Sequence, residues 1–257
     1  IHTSLQTLLD HLPPTLRVVI SSHKKPPLTL GYLRAKGMVT ELGVDDLRFT
    51  LEEGVDYLLQ NTPEPFLAYS QMQELITRTE GWITGLAYAI SVLTKEENRS
   101  LFRGIFTGAH PLLREFFMEN VLHQQPLEVQ SFLLKTSILK NLTGSLCDAV
   151  TGKSNSAELL GYLWEENLFL ERLEKPGWYR VHNLFAEVLA VQLREQFPSE
   201  ILYLHREAAG WYYQQNEVVE AIFHQLASKS WEDAATLIEK VALNELEQFG
   251  EDSRLMV

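Results

Sequence analysis

Gly152-Lys153-Ser154 ends the way a phosphate-binding loop ends, with a lysine and a hydroxyl placed for a nucleotide's phosphates and its magnesium ion. Where that motif requires its first glycine, however, stands Cys147, so the glycine-permitted amides that cradle phosphate are missing. The tripeptide reads instead as a helix terminus followed by a polar loop. Val44-Asp45-Asp46 imitates the acidic strand end that holds magnesium in nucleotide hydrolases, but Glu41 and Gly43 interrupt the apolar run it should follow. A solvated acidic pair ahead of the next helix is the plainer reading. The 8 histidines include no pair one helical turn apart and no short spacing with a carboxylate that would mark a zinc-binding helix, so no metal site is expected. Cys147 is the only cysteine, which excludes an internal disulfide and a multi-cysteine zinc site. Its apolar surroundings predict a small buried side chain. With no glycine-flanked serine nucleophile either, nothing reads as a complete catalytic machine.

The elements that would position such residues come from 257 residues, 45% of them hydrophobic, enough for two or three compact units. The 34 acidic residues outnumber the 22 basic ones, and the net charge of −12 opposes nonspecific attraction to nucleic-acid phosphates or anionic membranes. No run approaches the roughly 18 apolar residues of a membrane span, and no secretory leader is visible. A cytoplasmic setting is expected. The chain opens without methionine, within a helical pattern, and reads as an internal piece of a longer polypeptide.

Leu16-Arg17-Val18-Val19-Ile20-Ser21 follows Leu12-Pro13-Pro14 and predicts a strand buried on both faces; Met38 to Leu42 predicts a second, with a helix from about Leu28 to Lys36 between them. Thr50-Leu51-Glu52-Glu53 is a capping box that starts a helix. Helical periodicity returns at 68–79, 83–94 and 111–123, the last with Leu113, Phe116, Phe117 and Val121 on one stripe, and again at 127–136, 143–150 and 156–166. Leu168 to Leu173 and Trp178 to Val181 flank the turn residues Glu174-Lys175-Pro176-Gly177 and predict a β-hairpin. A closing helix from His182 to Gln196 completes a winged-helix arrangement. Beyond Pro198, amphipathic helices at 200–214, 217–227 and 231–243 have the form of a helical-repeat array at its beginning.

Six phrases occur in the order and spacing of the MalT-like regulators, a branch of the STAND signal-transduction ATPases, which the chain resembles over nearly its whole length. They are Leu12 through Ser22, Asp46 through Thr50, Thr79-Glu80-Gly81-Trp82 with Gly85-Leu86, Phe132-Leu133-Leu134 with Thr136 through Leu139, Asn167 through Leu170, and Trp178 through Phe185. The resemblance implies a mainly α chain: a remnant of an α/β P-loop nucleotide domain over 1–48, a helical domain over 49–110, a winged-helix domain over 111–197 and the start of a TPR-like helical arm from 198 to 257. It implies the middle part of an ATP/ADP-switched LuxR-type activator. The phosphate loop and magnesium acids would lie upstream of Ile1, and the sensor repeats and DNA-binding helices beyond Val257. ADP or ATP, with magnesium in the full protein, and an inducer would be its ligands. Activation would bring self-oligomerisation, and DNA would be met only through the distal helix-turn-helix. The parent would be a regulatory ATPase, and this piece not catalytic alone.

The resemblance also sharpens three sites. Strand Val18-Val19-Ile20 should end at a phosphate-sensing arginine, but His23 stands there, followed by Lys24 and Lys25. A neutral imidazole lacks the guanidinium fork, and a surface loop is the alternative reading. Gly81-Trp82-Ile83-Thr84-Gly85-Leu86 resembles the stretch packed against the adenine end, which makes Trp82 and Gly85 candidate nucleotide contacts; helix-start chemistry and core packing compete with that reading. His182 matches a histidine that contacts the β-phosphate at a helix N-terminus, against a capping or packing role. Asn183 replaces a second histidine common in the family. A protein-interaction scaffold without nucleotide dependence is the alternative for the whole chain. Direct DNA binding is disfavoured by Glu158, Glu165 and Glu166 in the expected recognition helix.

Overall fold

In a computed structural model, residues 2–13, 15–22, 26–62, 67–93, 108 and 110–254 are described. The chain divides into two compact units, one formed by residues up to 106 together with 162–169, the other by 107–161 together with 170–257.

The first unit is helical. Helices α1 (His2–Asp10), α2 (Gly31–Ala35) and α3 (Val44–Leu47) are separated by irregular backbone, and α4 (Leu51–Asn61), α5 (Tyr69–Thr79) and α6 (Ile83–Leu93) pack together. The capping box forms as the sequence predicts: the Glu53 amide donates to Thr50 Oγ1 at 3.3 Å, and the Thr50 amide donates to Glu53 Oε2 at 2.9 Å. Two otherwise orphaned amides are thereby satisfied at the start of α4. Leu58, Leu75, Leu86 and Ala89 make the core of this bundle.

Neither strand expected before residue 48 forms. Leu16 to Ser21 is irregular and joins no ladder, with Val19 94% exposed, and Met38 to Leu42 is likewise irregular with both terminal side chains exposed. A strand buried on both faces needs neighbours along its edges and helices over its faces. Among the described residues no strand lies in this segment to supply that ladder, so apolarity alone leaves the backbone irregular. The intervening helix does form, shorter than expected, and Gly37 terminates it at φ 66°.

The second unit begins with α7 (Pro111–Phe117), which widens into a π-helical turn over Met118–Leu122, and continues with α8 (Leu127–Thr136). Then come β1 (Leu142–Thr143), α9 (Gly144–Thr151), α10 (Ser156–Glu165), whose residues from Tyr162 onward are counted with the first unit, β2 (Leu170–Arg172), β3 (Trp178–Val181) and α11 (Asn183–Gln196). The three strands form an antiparallel sheet in the order β1-β3-β2, with Leu142 opposite Tyr179 and Leu170 opposite Val181. Three helices, a hairpin and a closing helix are thus the winged helix read from the sequence, with β1 added. Its core is Phe117, Leu133, Leu146, Cys147, Phe185, Val188 and Leu189, where Phe117 and Phe185 stack at 5.0 Å between centroids. Helices α12 (Ile201–Gln214), α13 (Val218–Ala227) and α14 (Trp231–Arg254) follow, α12 packing on both α9 and α13.

Candidate functional site

The hairpin brings His182 to the point where β3 hands over to α11. Its backbone, at φ −51° and ψ 132°, is extended, and its carbonyl accepts the first helical bond from the Ala186 amide at 2.9 Å. The imidazole is only 3% exposed and makes no capping bond to the first amides of the helix. A 14-residue helix therefore presents its partially positive end beside a buried histidine. Asn183, the neighbouring departure from the family pattern, accepts from Arg180 Nη1 at 3.1 Å, and Arg180 also pairs with Glu171 across the hairpin at 2.6 Å. The asparagine thus helps to fix the strand-to-helix junction.

Trp82 and Gly85 lie together in the first unit. Gly81 adopts φ 71°, and a Cβ there would stand 2.3 Å from the Phe49 carbonyl oxygen. The same close approach lets the Phe49 amide donate to the Gly81 carbonyl at 2.9 Å, tying the entry of α4 to the α5–α6 turn. A Cβ on Gly85 would meet the Trp82 ring at 2.8 Å and Thr79 at 3.1 Å, and Trp82 sits edge-on to Phe169 at 5.2 Å. Packing within the unit therefore accounts for both residues as they stand. His23 lies outside the described residues, with Lys24 and Lys25.

The discounted motifs take the structural roles read for them. Gly152 ends α9 in the left-handed region at φ 68°, and Lys153 and Ser154 follow it in an exposed loop. Asp46 accepts from the Gly43 amide at 2.8 Å, and Asp45 lies 3.8 Å from Arg48. Cys147 is fully buried, and burial above all pushes its thiol up to about 12.

Sequence reasoning missed one cluster. His205 on α12 and His224 on α13 bring their Nδ1 atoms to 2.8 Å, so one ring carries its proton on Nδ1 and donates to the other. Tyr212 stacks on His224 at 5.3 Å with 14° between planes, and Phe223 meets it edge-on at 5.1 Å. Burial, and then the neighbouring His205, hold the His224 pKa down at about 4; burial also lowers that of His205. The two histidines lie 19 residues apart, so no short spacing announces them. The one available signal was the place of His224 three positions after Ala221 on the buried stripe of α13.

A winged helix joined to further helices, with a buried histidine opening its last helix, is the class of protein that this fold defines. Within it the chain is MalT-like: residues 118–201 match the family model of the MalT winged helix domain. The chain is 30% identical over 230 residues to the HTH-type transcriptional regulator MalT of Vibrio parahaemolyticus, covering 87% of this chain and 25% of that protein. To MalT of Klebsiella pneumoniae it is 29% identical over 235 residues, 89% of this chain and 26% of that one. It is also similar to the serine/threonine-protein kinase PknK of Mycobacterium tuberculosis, 32% identical over 247 residues, 95% of this chain and 22% of the kinase. The chain thus spans about a quarter of the length of the relatives it matches. Among the described residues no helix is long and apolar enough to cross a membrane.

Proposed function

We propose that this chain is the middle part of an ATP/ADP-switched, MalT-like transcriptional activator of the LuxR type, acting in the cytoplasm. In this reading it couples nucleotide state and an inducer to self-oligomerisation and promoter binding. The observation that carries the proposal is the similarity to MalT regulators across 87–89% of the chain, with the winged helix inside it. The kinase relative sharpens the point. That a protein kinase and transcriptional regulators share this stretch supports reading it as a regulatory module rather than as the part by which either delivers its output.

His182 fits a bound phosphate group in type: a buried imidazole at a helix N-terminus combines a ring N–H with the positive end of the helix. By the resemblance, His182 would contact the β-phosphate, Trp82 and Gly85 the adenine end, and His23 the terminal phosphate. The bound nucleotide would supply the charge that distinguishes silent from active states, magnesium accompanying it in the full protein. This chain's residues would clasp and sense it, and hydrolysis would need the phosphate loop and metal acids that the segment lacks. Residues 1–48, 49–110, 111–197 and 198–257 would serve respectively as nucleotide-domain remnant, helical domain, winged helix and the start of a TPR-like arm.

Calorimetry on the full-length protein tests the reading. Tight, magnesium-dependent binding of ADP is expected, weakened about tenfold or more by His182→Ala, while the 257-residue chain alone binds weakly or not at all. A full-length protein indifferent to nucleotide would leave the second reading, a helical interaction scaffold. That reading is favoured by the exposed Tyr203, Tyr213, Val219, Phe223 and Trp231 on α12 to α14.

A further inference from the structure

In the second unit, a cleft of about 270 Å³ opens between the hairpin and the α12–α13 junction. One wall is Trp178 on β3, half-buried and braced edge-on by Trp211 at 6.2 Å. The hairpin turn carries Lys175 back over the same ring, its ammonium 4.4 Å from the centroid. That turn is fixed by backbone bonds, from the Trp178 amide to the Lys175 carbonyl at 3.1 Å and from the Leu173 amide to the Trp178 carbonyl at 2.9 Å. Facing them are Glu217, which precedes α13 and makes no capping bond with its side chain, and Glu220 in the first turn. Buried Tyr212 closes the floor. Its hydroxyl is pushed up to about 12 by burial, then by Glu220, Cys147 and Glu217, so the field of both carboxylates reaches into the cleft.

We propose that this cleft binds a small organic cation, an alkylammonium on a short apolar stem, which replaces Lys175 over Trp178 and pairs with Glu217 and Glu220. Among the described residues neither glutamate forms an ion pair, and Lys175 has none either, so two negative charges face one positive charge that reaches the indole but not the carboxylates. An indole face is the side-chain surface that attracts a cation most strongly. The apolar stem would lie against Leu173 and Trp178, and an anion is excluded by the paired carboxylates. At about 270 Å³ the cleft falls just under the roughly 300 Å³ at which ligand sites begin, which suits a molecule of a few heavy atoms. The proposal does not depend on the nucleotide reading.

Saturation-transfer NMR with n-butylammonium chloride as the probe tests it on the whole chain. Saturable transfer to the probe is expected, with none to butanol at the same concentration. Trp178→Leu, and Glu217→Gln with Glu220→Gln, should each weaken binding about tenfold. Lys175→Gln should tighten it about threefold, because the ring is vacated, and unfolding cannot produce that gain. Nα-acetyl-lysine amide, the peptide form of the same chemistry, should bind no better than butylammonium. Equal transfer to butanol, no change in the double glutamate variant, or weakening by Lys175→Gln would each overturn the proposal. Binding by the lysine amide alone would overturn the small-amine assignment.

Discussion

Acid should loosen the α12–α13 pair, and the size of the effect follows from His224. The ring is 3% exposed, its Nδ1 is 2.8 Å from that of His205, and its pKa falls from 6.5 to about 4. Protonating the accepting ring puts two N–H groups face to face and breaks the hydrogen bond. Because the folded value lies below the unfolded one, the neutral pair contributes its full stability above 6.5. That contribution is lost as pH falls from there toward 4. Linkage between those values gives a loss of about 2.5 kcal/mol at roughly pH 4.5, against almost none at about pH 7.5. Such a loss is a large share of an ordinary domain's stability. Urea unfolding of the wild type and His224→Leu at both pH values isolates it, since carboxylate titrations are common to both chains. The wild type should lose about 2.5 kcal/mol more than the variant, and the His224 ring proton should titrate below about pH 5 by NMR. Equal losses in the two chains, or a His224 titration near 6.5, would refute the reasoning.

Two further expectations follow from burial and backbone geometry. Gly81→Ala forces a Cβ to within 2.3 Å of the Phe49 carbonyl at φ 71°, and it should cost more than about 3 kcal/mol. Gly152→Ala has φ 68° but open space around it and should cost only about 1 kcal/mol. The difference between their urea midpoints is the check, and similar losses would show that the Phe49 contact is unimportant. Cys147, its thiol near 12, should have roughly one molecule in ten thousand ionised at about pH 8. It should ignore a disulfide reagent until urea unfolds the chain, and rapid native-state labelling would contradict its burial.

Elements whose causes are local were legible in the sequence. The capping box at Thr50 and Glu53, the turn chemistry of the hairpin and the apolar stripe of 127–136 each act over a few residues, and each stands where it was read. The runs 16–21 and 38–42 carry a strand's composition but lack its neighbours, and pairing is not encoded in one strand. Conversely β1 is 2 residues long, too short to show a period, and exists because β3 offers it an edge. At the site, His182 could be placed because hairpin and helix bracket it. The His205–His224 contact could not, because it depends on how two helices face each other. Trp82 and Gly85 were conspicuous by type, but only their distances connect them to Thr79 and Phe169.

The wide turn at Met118–Leu122 gives the segment a slack that an even helix lacks. A π-helical turn takes in an additional residue while leaving the helix on either side aimed at the same interior. Phe117, Met118, Val121 and Leu122 are accordingly all buried, while Glu119 and Asn120 face solvent. Removing one of these two exposed residues should tighten the coil to the ordinary pitch and leave Phe117 stacked on Phe185. The entrance to the winged helix should therefore shorten by one residue and keep its aromatic stack, a tolerance not expected of the neighbouring uniform helix α8, where Phe132, Leu133 and Leu134 are all buried.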